Sequence, residues 1–110
     1  MTAKKIKQIM PSLKEKKRYI AYDVIAEAEP SPREIEQAIT KRMLSFVGEL
    51  GVSQAGILFP KPGIVRVSHL SAEYAKAALA LVKEINGKPV ALRSLGTSGM
   101  LNKAEKYLAH

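Results

Sequence analysis

Residues 18–27 read RYIAYDVIAE. The stretch is rich in Ile, Val and Tyr and alternates with period two, the pattern of a strand with one face in a core. Ile20, Tyr22 and Val24 share one face, to be covered by helices, and Ala21, Asp23 and Ile25 share the other. Working outward, Glu29-Pro30-Ser31-Pro32 ends the strand, since proline has no N–H to give a ladder. Ser31 then caps a helix, Pro32 takes the position that needs no N–H, and Glu34 reaches back to close a capping box. Ile35, Ile39, Met43, Phe46, Val47 and Leu50 recur at helical spacing, and Gly51 stands where a left-handed cap is wanted. Two short strands follow, 55–59 and 64–69, about the turn Pro60-Lys61-Pro62-Gly63. A second helix starts at Ser71, turns Tyr74, Ala78, Leu81, Val82 and Ile85 inward, and ends at Asn86-Gly87. Residues 89–95 form a fourth strand. Gly96-Thr97-Ser98-Gly99 then turns into a short helix that runs to about Leu108.

With right-handed crossovers, this order predicts an α+β fold, a ferredoxin-like or RRM-like βαββαβ sandwich. Its four-stranded antiparallel sheet carries two helices on one face, with an extra C-terminal helix. Residues 14–110 make this single domain, behind a basic and flexible arm at 1–13.

The 110 residues contain no Cys and no Trp. Disulfides, thiol nucleophiles and Cys-type metal sites are thereby excluded. No apolar run approaches the roughly 20 residues of a membrane helix, so a soluble cytoplasmic protein with no membrane partner is expected. Charge is the strongest compositional signal, with 18 Lys and Arg against 10 Asp and Glu. Residues 1–18 hold seven basic side chains against one acidic, 19–86 seven against eight, and 87–110 four against one. Positive ends around a neutral middle suit a polyanion, because each neutralised phosphate releases condensed counterions.

Catalytic candidates are few. His69 and His110 are the only histidines, and without thiols they make no zinc cluster. Asp23 and Glu27 share a strand face but stand about 13 Å apart, too far for a two-metal pair. No catalytic residue and no metal ligand is assigned. The Gly96–Gly99 element resembles a phosphate-clamping G-x-x-G loop, but such loops join two helices, so a strand-to-helix turn capped by Thr97 or Ser98 accounts for it. Residue parity exposes Ala21, Asp23, Ile25, Ile64, Arg66 and Ser68 on the open face and no aromatic ring. That face calls for a cover, and Leu101, Ala104 and Leu108 of the terminal helix form a matching stripe. The RNA-binding candidates are Lys14, Lys16, Lys17, Arg18, Arg66, Arg93, Thr97, Ser98, Lys103 and Lys106.

Four blocks carry a resemblance: PSLKEKKRYIA at 11–21, GELG at 48–51, ALALVKEING at 78–87 and RSLGTSG at 93–99. Together they resemble archaeal ribonuclease P protein component 2 over residues 10–106. The resemblance implies an RRM-like subunit of the ribonucleoprotein that removes the 5′ leader from precursor tRNA. It implies catalysis by the RNA component with Mg²⁺ held through that RNA, and no cofactor on the protein. It implies as partners the ribonuclease P RNA, precursor tRNA at the periphery, and ribonuclease P protein component 3, two copies of each. Two other readings stay open on the residues alone: a generic RNA-binding chaperone, and a ferredoxin-like regulatory or ligand-binding module.

Overall fold

The computed structural model describes residues 16–108. The arm at 1–13, Lys14 and His110 lie outside them. Strand β1 (Lys17–Ile25) is followed by helix α1 (Pro32–Ala55) and the hairpin of β2 (Leu58–Lys61) with β3 (Ile64–Ser68). A 3-10 turn (His69–Ser71) leads into α2 (Ala72–Leu81). A small hairpin, β4 (Glu84–Ile85) with β5 (Lys88–Pro89), then precedes β6 (Ala91–Ser98) and α3 (Leu101–Leu108). The main sheet is antiparallel, in the order β2-β3-β1-β6. This is the α+β, ferredoxin-like sandwich that the βαββαβ order predicts.

The alternation in β1 places its side chains as expected. Ile20 and Tyr22 are buried in the core with Val65, Val67 and Leu92, against Ile35, Ile39 and Met43 of α1 and Ala75, Ala78 and Leu79 of α2. Burial holds the Tyr22 hydroxyl neutral well into alkali, its pKa pushed up to about 12, with the Glu36 carboxylate adding to the shift. On the other face Ala21 and Ile64 are fully buried beneath α3, whose Ala104 is also at 0% exposure. The terminal helix is the cover that the apolar open face requires.

Several boundaries differ from the sequence expectation. Helix α1 continues past Leu50 to Ala55 and is capped by Gly56 at φ 59°, so Gly51 is not its cap. The helix is interrupted at Gly48, whose φ of 72° and ψ of 179° belong to a region open essentially to glycine alone. Before the break Val47 packs on the core while Phe46 is left 42% exposed, and beyond it Leu50 ends 62% exposed, so neither Phe46 nor Leu50 extends the buried stripe. Gly51 instead permits a close approach, since a Cβ there would lie 2.4 Å from that of Val47.

Helix α2 stops four residues early. It buries Ala72, Ala75, Ala78 and Leu79, and leaves Tyr74 and Leu81 outside. Asn86-Gly87 is then the two-residue loop of the β4–β5 hairpin, both residues at positive φ as a type I′ turn requires. Gly96, Thr97 and Ser98 are not a turn. They continue β6 and pair with Ala21, Ile20 and Tyr19, beyond a register shift between Ala21 and Tyr22.

Candidate nucleic-acid interface

One end of the sheet collects the basic residues that open β1. The Lys16 carbonyl accepts hydrogen bonds from the His69 backbone N–H at 2.9 Å and lies 3.2 Å from His69 Nδ1. This pins the start of β1 to the end of β3. Lys17 stands opposite Ser68 in the ladder, and its Nζ lies 4.0 Å from where a Gly56 Cβ would be. Gly56 caps the C-terminal end of α1, where the helix dipole favours a cation. Arg18 donates from its guanidinium to the Lys17 carbonyl at 3.0 Å, and its terminal nitrogen reaches Gly99, just before α3. Ser98 accepts from the Met100 N–H at 3.1 Å, so it caps the turn into α3 from the last position of β6. Lys103 lies exposed in the first turn of that helix.

The other candidates are distributed differently. Arg66 sits further into the sheet, opposite Tyr19 on one side and Leu58 on the other. Its Nε is buried and makes no hydrogen bond within the described residues. Burial strips that nitrogen of water without compensation among the described residues. Thr97 pairs with Ile20 and therefore belongs to the helix-covered face, away from the other candidates. Lys106 is exposed further along α3.

Arg93 stands apart. It lies towards the far end of the sheet, and its guanidinium grips the Asp23 carboxylate through two contacts, of 2.7 and 3.3 Å. The hydrogen bonds and charge of Asp23 hold the Arg93 pKa above its ordinary value. Its charge is already matched across the ladder.

The described residues contain three ion pairs: Lys61 with Glu105, Lys76 with Glu73, and Arg93 with Asp23. None involves Lys16, Lys17, Arg18, Lys103 or Lys106, so among the described residues no carboxylate is paired with this basic pole. The opposite end of the sandwich carries Glu27, Glu29, Glu34 and Glu84 with Arg33 and Lys88. The molecule is electrostatically polar along its strands.

Tyr19 was missed as a member of the open face. The parity that exposes Ala21 and Asp23 also exposes residue 19, which stands half-buried between Arg66 and Ser98. His69 was read only as a strand end. Its contact with Lys16 joins residues 53 positions apart, which spacing along the chain does not reveal.

The described residues bring no three His, Asp or Glu side chains together as a metal ion would need. A cleft of about 780 Å³ lies among Ile25, Ala26, Glu27, Ala28, Lys88, Pro89, Val90 and Ala91. Its lining is chiefly apolar, with Glu27 and Lys88 as its charged side chains. No described helix is long and apolar enough to cross a membrane.

Comparison with known proteins adds an independent line. A family model described as the Rpp14/Pop5 family matches residues 18–109. "Ribonuclease P protein component 2" of Pyrococcus horikoshii is 36% identical over 116 residues, spanning 96% of this chain and 94% of that protein. The protein of the same name from Thermococcus kodakarensis is 39% identical, over 96% of this chain and 93% of its own length. The Methanocaldococcus jannaschii protein is 37% identical, over 94% and 81%. Among solved structures, a chain of yeast ribonuclease MRP superposes with a TM-score of 0.59 over 82% of this chain and 79% of its own, at 13% identity. That likeness concerns the fold.

Proposed function

We propose, for a chain that belongs to the Rpp14/Pop5 family and is a protein subunit of ribonuclease P, that it holds the RNA of the particle through its basic pole and contributes no catalytic group. The observation that carries this reading is the set Lys16, Lys17, Arg18 and Lys103, gathered at one end of a rigid sheet with no acidic partner among the described residues. Folding an RNA crowds phosphates together. Cations held in place by a sheet lower the cost of that crowding, and they act by charge and position rather than by reading bases.

In this reading the RNA, with Mg²⁺ bound to it, breaks the phosphodiester bond of precursor tRNA. The protein's work is to bind, to orient and to neutralise. Arg66 and Ser98 extend the contact along the open face, and Lys106 extends it along α3. Lys14 continues the basic run in sequence. Arg93 is assigned to its pair with Asp23 rather than to RNA. Ribonuclease P protein component 3 is the protein partner, two copies of each, in the cytoplasm, with precursor tRNA met only at the edge of the particle.

The test is a filter-binding titration of the full chain on ribonuclease P RNA across a range of salt. Each lost phosphate contact lowers the log–log salt slope by about 0.9 on duplex and about 0.7 on single strands. Replacing Lys16, Lys17 and Arg18 together by Ala should therefore flatten the slope by about two to three and weaken binding. An unchanged slope overturns the assignment. The same purified chain, given precursor tRNA and Mg²⁺ without the RNA component, should cleave nothing.

A further inference from the structure

Lys16 is exposed and stands just outside β1, where the sheet has almost run out. The ladder with β6 begins only at Tyr19, opposite Ser98, and the ladder with β3 begins at Lys17, opposite Ser68. One rung further out stands His69, which fastens the Lys16 carbonyl twice. Its backbone N–H donates to that oxygen at 2.9 Å, and its ring Nδ1 lies 3.2 Å from the same atom. A carbonyl oxygen only accepts, and it has two lone pairs to offer. The ring nitrogen that faces it must therefore carry a proton, so the imidazole donates the second hydrogen bond.

The ring is itself firmly placed. His69 is the first residue of the 3-10 turn that joins β3 to α2. Ser68, buried at the end of β3, accepts from the Leu70 N–H at 3.3 Å, and the His69 carbonyl accepts from the Ala72 N–H. Ala72 and Ala75 of α2 are packed in the core. Lysine is a point charge on a flexible stem, so the fold aims it chiefly through its backbone. One hydrogen bond lets a strand end swing about it. A second donor on the same oxygen fixes its direction, and with it the direction in which the Lys16 stem leaves the sheet.

We propose that the His69 side chain is a positioning residue for RNA binding: by donating from Nδ1 to the Lys16 carbonyl, it aligns Lys16 with Lys17 and Arg18 toward phosphate, without touching the RNA itself. The proposal rests on the reading of the basic pole as the RNA contact. It goes further in giving a role to a residue outside that run of Lys and Arg.

The experiment titrates the full chain on ribonuclease P RNA across a range of salt. His69→Leu, His69→Asn, Lys16→Ala and His69→Leu with Lys16→Ala are compared with wild type and with the triple Ala variant of Lys16, Lys17 and Arg18. Leu keeps the backbone N–H and the bulk but has no side-chain donor, whereas Asn offers an N–H in place of Nδ1. Circular dichroism and urea midpoints confirm folding. His69→Leu should weaken RNA binding about 2- to 10-fold, the worth of one hydrogen bond. It should flatten the log–log salt slope by up to about 0.9, one phosphate contact. His69→Asn should restore both. With Lys16 already Ala, His69→Leu should add nothing, since the two act through one contact.

A merely structural His69 would lower the urea midpoint of His69→Leu and leave its slope unchanged, which overturns the proposal. So do additive losses in the double variant. A His69→Asn that binds as weakly as His69→Leu would make the ring an RNA contact in its own right and overturn it as well. If the triple variant flattens the slope and His69→Leu does not, this proposal alone falls; if neither does, the RNA-binding reading of the pole falls with it.

Discussion

The ring of Tyr107 lies so close over Gly96 that a Cβ there would be 2.5 Å from its nearest carbon. The strand residue is glycine because α3 must lie flat on β6, and the aromatic ring fills the space where a side chain would stand. Gly96→Ala should therefore destabilise the fold by about 1–3 kcal/mol, the usual cost of overpacking. The cost should shrink when Tyr107 is also replaced by Ala, because the two residues share one contact. Urea denaturation of the two singles and the double measures the coupling, and additive effects would refute the contact. Read along the chain, the same glycine belonged to a turn, with Gly99. Nothing local could have distinguished the two roles, since the ring that requires Gly96 comes from eleven residues further on.

At the scale of elements, the capping box of α1 follows directly from its four residues. Ser31 Oγ accepts from the Glu34 N–H at 3.2 Å, and Glu34 accepts from the Ser31 N–H at 2.9 Å. Glu34 also accepts from the Asn86 side chain, which ties the β4–β5 hairpin to the start of the helix. These contacts, led by the Ser31 backbone hydrogen bond, hold the Glu34 carboxyl below its usual range. A carboxyl whose pKa is lower in the folded state stabilises above its unfolded value and loses that contribution as pH falls through the folded one. Glu34→Ala should thus be less stable than wild type at neutral pH, and the gap should close in acid. Thermal melts across pH 2–7 check this, and a gap independent of pH would place the effect elsewhere. The break at Gly48 was not legible in the same way. Ile35, Ile39 and Met43 announce a buried stripe whose continuation through Phe46 and Leu50 looks equally good on paper. Only packing decides that it ends: before the break Val47 meets the core and Phe46 does not, and beyond it Leu50 is left exposed.

Across the whole molecule, charge is sorted by topology. Residues 16–18 are basic in sequence, but they become one pole with Ser98 and Lys103 because β1 is central and antiparallel to both β3 and β6. The same arrangement sends Glu27 and Glu29 to the far end, about 30 Å away by the strand rise, beyond the reach of a Debye length of about 8 Å at physiological salt. Replacing Glu27 and Glu29 together by Gln should leave the RNA salt slope within about 0.3 of wild type, the contact term being local. A slope that rose by one or more for each acid removed would mean that net charge, rather than the placed pole, governs binding.

The chain's own pattern determined the order of elements, the inward face of β1, the need for a cover over its outer face, and the basic character of both ends. These rest on periodicity and composition, which are local quantities. Tertiary structure alone decided that Arg93 is matched by Asp23, that Gly96 answers to Tyr107, and that Tyr74 and Leu81 stay outside. Each of those depends on what a residue meets across the sheet or beyond the end of a helix, and spacing along a chain carries no record of it.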